Sequence, residues 1–218
     1  MNVINELSEY LKISRGRVKK MMRSREAILE TEYHIHVATS NKKNPIDFYR
    51  SSRFMMFSNA QDEIERDKDT DWDDMRNDLS HKKYSSILDF GAGIGSAGIQ
   101  LSGMTDDIFF YEPNIHALQF LEHRAKNRNL NFAVSSNFPA MHKFDLIVAW
   151  GVFEHIDDDL AAHYFKTLLS MLNPNGLFFL KNFYEQTDEY LLHFKKGTKM
   201  QQLYKKHEDK IIFARHSH

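Results

Sequence analysis

Three glycines at alternate positions follow a carboxylate in Asp89-Phe90-Gly91-Ala92-Gly93-Ile94-Gly95. A second carboxylate, Glu112, comes about 20 positions after Gly91. A third acid sits beside an imidazole in Glu154-His155. Each of these residue types has a use. Glycine lets a ligand approach the backbone and tolerates the positive φ of a tight turn. Glu112 can accept both hydroxyls of a ribose. A negative charge at Asp89, just before the turn, disfavours a pyrophosphate and favours a ligand carrying an ammonium group, as the methionine end of S-adenosylmethionine does. His155, with an ordinary pKa near neutrality, could take a proton from an acceptor hydroxyl. A different phase of the same loop, Gly93 to Gly98, reads G-x-G-x-x-G, which in dinucleotide sites holds a pyrophosphate at a helix N-terminus.

These residues need a parallel sheet to position them. Ile87–Phe90 is a short apolar run stopping at glycine, as a buried strand does. Strands are also expected at 108–111, 132–134, 144–150 and 177–180, with helices at 94–101, 115–128, 157–172 and 187–194 between or after them. Asn173-Pro174-Asn175-Gly176 reads as a turn. Residues 200–206 and 210–215 read as two closing strands. The expected fold is α/β: a Rossmann-like, mostly parallel sheet of seven strands with helices on both faces. In such sheets ligands bind beyond the strand C-termini, where the strand order reverses.

With those elements in order, the chain resembles the class I S-adenosylmethionine-dependent methyltransferases over roughly residues 84–215. Residues 89–95 look like the first family motif and Tyr111-Glu112-Pro113-Asn114 like the second. Phe144-Asp145-Leu146-Ile147-Val148 looks like the fourth strand, and 172–177 like the turn into the fifth. The resemblance implies a cofactor set of Asp89, Phe90, Gly91, Ala92, Gly93, Gly95, Glu112, Pro113, Trp150 and Gly151, with S-adenosylhomocysteine as the product. Many family members carry an acid after the third strand to contact adenine; this chain has Ser135, Ser136 and Asn137 there, which offer hydrogen bonds instead. The loop Val152-Phe153-Glu154-His155-Ile156 is similar to loops of ubiquinone-biosynthesis O-methyltransferases and small-RNA 2′-O-methyltransferases, and it makes Glu154 and His155 the catalytic candidates. Relatives that bind a metal there use E-x-x-E-H. Gly151 replaces the first glutamate here, so no metal site is expected.

Residues 1–80 are expected to form a helical cap ahead of a methyltransferase domain at 81–218. Leu7, Leu11, Val18, Met22 and Leu29 recur at helical steps over 1–36. An aromatic-rich helix at 47–57 would roof the acceptor site with Tyr49, Arg53, Phe54 and Phe57; Tyr184 and His193 could reach the acceptor from the other side. The acidic run 61–78 reads as a solvated surface anchored by Trp72. Residues 7–22 also read as helix-turn-helix, with Ser14 capping a helix that carries Arg15, Arg17, Lys19 and Lys20.

Composition bounds the partners. The chain has 218 residues, a formal net charge of -1 and no cysteine. Disulfides and thiolate chemistry are excluded, and no global charge draws it to nucleic acid or an anionic membrane. No apolar stretch reaches membrane-spanning length, and no signal segment opens the chain, so a cytoplasmic location is expected. The expected reaction is methylation of a hydroxyl or amine on a small molecule. An RNA methyltransferase and a non-catalytic cofactor-binding module are the alternatives. The N/D-P-P-Y/F/W tetrapeptide of base-amino methylation is absent after the fourth strand.

Overall fold

Side chains on a strand point alternately to its two faces, and here that alternation sorts the strand residues into two cores. The computed structural model describes residues 2–40, 45–68, 71–139, 141–181 and 198–214. Strands β1 (Ile87–Phe90), β2 (Ile108–Tyr111), β3 (Phe132–Ser135), β4 (Phe144–Trp150), β5 (Leu172–Lys181) and β6 (Ile211–Phe213) form one sheet in the order β3-β2-β1-β4-β5-β6. All neighbouring pairs run parallel. Leu88, Phe90, Ile147, Ala149 and Phe178 enter one core; Ile87, Leu146, Val148, Trp150 and Phe179 enter the other.

Among the described residues, six helices precede β1: α1 (Val3–Leu11), α2 (Arg15–Arg23), α3 (Arg25–Ser40), α4 (Pro45–Ser51), α5 (Met55–Lys68) and α6 (Asp71–Leu79). Then α7 (Ser96–Gln100) and α8 (Ile115–Asn127) flank β2, α9 (Asp158–Ser170) joins β4 to β5, and α10 (Thr198–Lys206) precedes β6. Both faces of the sheet are covered, as expected. Phe165, Leu168, Met200 and Leu203 pack from α9 and α10 on one side, and Trp72, Met75, Leu79 and Ala97 from α6 and α7 on the other. Short polar residues start the helices. The Ser14 side chain accepts from Arg17 N at 3.3 Å, the cap expected for α2. Asp157 accepts from Leu160 N at 3.1 Å to start α9. No described helix is long and apolar enough to cross a membrane.

The C-terminal part differs from expectation. Six strands are found among the described residues, not seven. Residues 200–206 lie in α10, because Met200, Leu203 and Tyr204 are spaced for one helical face and are all buried. The segment after it adds a single strand, parallel to β5, so there is no closing hairpin. The register of β4 with β5 jumps from Phe144–Leu172 to Leu146–Leu177, so Asn173–Gly176 bulges out of the ladder where a turn was expected. The helix expected at 187–194 lies outside the described residues.

The acidic run is also more than a solvated surface. Glu63 of α5 and Glu6 of α1 are buried against Arg124 of α8, itself 1% exposed. Arg124 donates from Nε to Glu6 at 3.0 Å, from Nη1 and Nη2 to Glu63 at 2.9 and 2.8 Å, and to the Ile94 carbonyl at 2.8 Å. Arg128 pairs with the other Glu6 oxygen at 2.8 Å, and Ser96 donates to Glu63. Lys181 of β5 pairs with the buried Asp71 of α6. Buried ion pairs thus tie the helices before β1 to α8 and to β5.

Candidate functional site

The strand order reverses between β1 and β4, and the main cavity, of about 870 Å³, opens at that point. The glycine turn forms its floor. Gly91, Gly93 and Gly95 have φ of 70°, 55° and 80°, a region that favours glycine. A β-carbon at Gly91 would lie 2.7 Å from Val152, and one at Gly93 would collide with the Asn59 amide. The last glycine of the G-x-G-x-x-G phase, Gly98, packs its bare backbone against Phe110, so helix–strand packing alone accounts for it.

Asp89 ends up 2% exposed, and its Oδ2 accepts from Gly98 N at 2.8 Å, tying the strand to α7. Glu112 is 8% exposed. It accepts from Gly93 N and Asn114 N, each at 2.7 Å. Burial pushes both acids up to about 7; for Asp89 the Gly98 bond opposes the rise and the nearby Glu112 adds to it, while for Glu112 the Asn114 and Gly93 bonds oppose it. Two buried carboxylates that resist ionisation around an open cavity favour a ligand bringing positive charge and hydroxyl donors.

Phe90, Ala92, Pro113, Trp150, Gly151, Glu154, His155 and Tyr49, all singled out in the sequence, also line this cavity. Glu154 is 1% exposed, in the 3₁₀ turn Phe153–His155 that follows β4. His155 Nδ1 lies 2.7 Å from Tyr49 Oη. Burial, then the charges of Glu154 and Asp62 and the Tyr33 hydroxyl, hold Tyr49 protonated well above the usual phenol range. Gly95 shapes the turn as the N-cap of α7 without lining the cavity. Ser135, Ser136 and Asn137 stand outside the cavity wall, where Ser135 Oγ and the Asn137 backbone bond to each other. Arg53 faces a second, shallower pocket with Glu32, His36 and His116. Tyr184 and His193 lie outside the described residues.

Two further cavity residues, Arg66 and Asn114, were not singled out as site residues by the sequence reading. Arg66 places its guanidinium 5.8 Å from the Trp72 ring and 5.6 Å from the Trp150 ring. The two indoles are 4.8 Å apart. Arg66 stands one helical turn after Asp62, a spacing that could have marked an inward-facing pair within the acidic run. Asn114 was legible only as a motif residue. Its side-chain oxygen caps α8 at His116 N and Ala117 N (2.9 and 3.0 Å). Its amide donates to the carbonyls of Tyr49 and Ser52, holding α4 over the cavity.

The chain belongs to a methyltransferase family: the model described as "Methyltransferase domain" matches residues 64–209, more than half of the sequence. No curated protein matches it. Among solved structures, TehB from Haemophilus influenzae is 19% identical, covering 64% of this chain and 50% of its own, with a TM-score of 0.50. The N-methyltransferase NodS from Bradyrhizobium japonicum, in complex with S-adenosylhomocysteine, is 23% identical over 52% of this chain and 59% of its own, with a TM-score of 0.47. A S-adenosylmethionine-dependent methyltransferase from Clostridium acetobutylicum is 23% identical over 50% of this chain and 48% of its own, with a TM-score of 0.45. The chain therefore spans about half the length of such structures. The likeness to TehB is one of fold.

Proposed function

We propose that this chain transfers a methyl group from S-adenosylmethionine to a small-molecule acceptor. One observation carries the reading: a positive-φ glycine turn and two buried carboxylates surround one cavity on a methyltransferase domain. S-adenosylmethionine supplies a methyl group on a positively charged sulfur, which keeps the bonding electron pair when the methyl leaves. The chain's own residues hold and orient. Glu112 retains oxygen lone pairs for ribose hydroxyls after accepting two backbone N–H groups. Asp89 offers its carboxylate charge to an ammonium group. Phe90, Gly91, Ala92, Gly93, Pro113, Trp150 and Gly151 wall the cofactor, and Gly95 keeps the turn in shape; Ser135, Ser136 and Asn137, outside the cavity wall, are left out of that set.

Tyr49, Glu154 and His155 face the acceptor, while Arg53, set in its own pocket, is left out of that set. Residues 1–80 act as the roof and 81–218 as the transferase unit. The cavity volume suits a small molecule, and alignment with exclusion of water is the main demand of this chemistry. Labelled methyl groups should pass from the cofactor into a low-mass compound of a metabolite extract. Label found solely in RNA would overturn the acceptor class. A specific observation favours that rival: Arg15, Arg17, Lys19, Lys20 and Arg23 are exposed on α2 and make no ion pair among the described residues. A gel shift weakening with salt would support it, and none at low salt would remove it.

A further inference from the structure

Helix α5 turns one face to the cavity and buries another. Met55, Asn59, Asp62 and Arg66 follow one another at helical steps and all line the cavity. A different face carries Met56, Phe57, Ala60 and Glu63, which are buried. Glu63 is gripped by Arg124 of α8 at 2.9 and 2.8 Å. The helix is therefore fixed from behind, and its cavity face is held in one place.

On that face, Asn59 meets the glycine turn. A β-carbon at Gly93 would fall on Asn59 Nδ2 and lie 3.3 Å from its Cγ, so the bare Cα of Gly93 makes room for the carboxamide. The Asn59 side chain is partly buried and makes no hydrogen bond among the described residues. A carboxamide has two N–H donors to give. The turn beside it has committed most of its own. The N–H groups of Gly91 and Ala92 go to the Tyr111 carbonyl at 2.9 and 3.0 Å, and that of Gly95 to the Ala92 carbonyl at 2.7 Å. Gly93 N is taken by Glu112 and Gly98 N by Asp89.

The methionine end of S-adenosylmethionine carries a carboxylate as well as an ammonium group. Asp89 and Glu112, once ionised, repel that carboxylate, and the turn keeps few N–H groups to receive it. An uncharged donor standing against the turn answers both demands. We propose that the Asn59 carboxamide donates to the carboxylate of S-adenosylmethionine, so that α5 reads the amino-acid end of the cofactor while Glu112 reads the ribose. The proposal rests on the methyl-transfer reading of the cavity and adds a specificity-determining residue to it. Asn59 binds and orients the cofactor and takes no part in breaking the C–S bond. Gly93 then has a second duty, which is to leave space for a side chain of the roof.

The test compares two ligands that differ by that one group. Full-length protein is titrated calorimetrically with S-adenosylhomocysteine and with its decarboxylated analogue, which keeps the adenosine, the sulfur and the ammonium group. Asn59→Ala should weaken S-adenosylhomocysteine about 10-fold or more, as expected for a lost hydrogen bond to a charged group, and leave the analogue within about twofold. Asn59→Asp has nearly the same shape and sets a like charge against the carboxylate. It should weaken S-adenosylhomocysteine further and spare the analogue. A general loosening of α5 would weaken both ligands alike. Equal weakening of the two, or S-adenosylhomocysteine affinity unchanged in both variants, overturns the proposal. Wild-type protein that binds neither ligand sinks the cofactor reading itself, a result distinct from failure at Asn59.

Discussion

Asp89 and Glu112 show how burial around a cavity becomes a measurable quantity. Unfolded carboxylates titrate near pH 4, whereas these two titrate at about 7. Between those values the folded chain holds more protons than the unfolded one, so these groups make stability fall as pH rises through that window. An ammonium group or ribose hydroxyls favour the ionised carboxylates, so cofactor binding near pH 7 should expel up to about one proton, about half from each acid. The calorimetric enthalpy of S-adenosylhomocysteine binding should then change with the ionisation enthalpy of the buffer; identical enthalpies in all buffers would exclude the linkage. Gly93→Val should weaken the same binding by at least about 100-fold, or roughly 2.7 kcal/mol, because it fills the turn and strains a positive φ. Affinity within a few-fold of wild type would remove the turn from the site. This part of the site was legible in the sequence because its residues act through local spacing: three glycines, one acid before them and one acid a strand later. Arg66 was not legible, because its value lies in two indoles that only the fold brings to it.

Among the elements, those with a local start signal were easiest to read. Ser14 and Asp157 cap α2 and α9 from one residue upstream, and the apolar run of β4 defines itself. The segment at 200–206 was harder, since alternation and helical spacing overlap in so short a stretch, and tertiary burial of Met200, Leu203 and Tyr204 decided for a helix. Asn114 belongs at this scale because it serves two elements. Asn114→Ala removes the α8 cap and the tether on α4, and should cost about 2–3 kcal/mol. Asp157→Ala removes a cap alone and should cost about 1 kcal/mol. Urea midpoints of the two variants measure the difference. Equal losses would mean that the bonds to the Tyr49 and Ser52 carbonyls add nothing.

For the whole molecule, the helices before β1 are joined to the rest of the chain by charge as well as by packing. Arg124→Met leaves Glu6 and Glu63 buried without it and should cost about 3–5 kcal/mol in chemical denaturation. Replacing Glu6 and Glu63 by leucine alongside Arg124→Met should recover much of that loss; no recovery would show that the loss came from packing. Nothing in the sequence announced this triad, because Glu6 and Arg124 are 118 positions apart. That separation also sets an order of events in time. A ribosome adding about 5–20 residues per second makes Arg124 roughly ten seconds after Glu6. Until then α1 has no guanidinium to dock on and its acid stays in water. α1 therefore settles only once α8 has been made, and a nascent chain halted before α8 cannot lock its N-terminal helices in place.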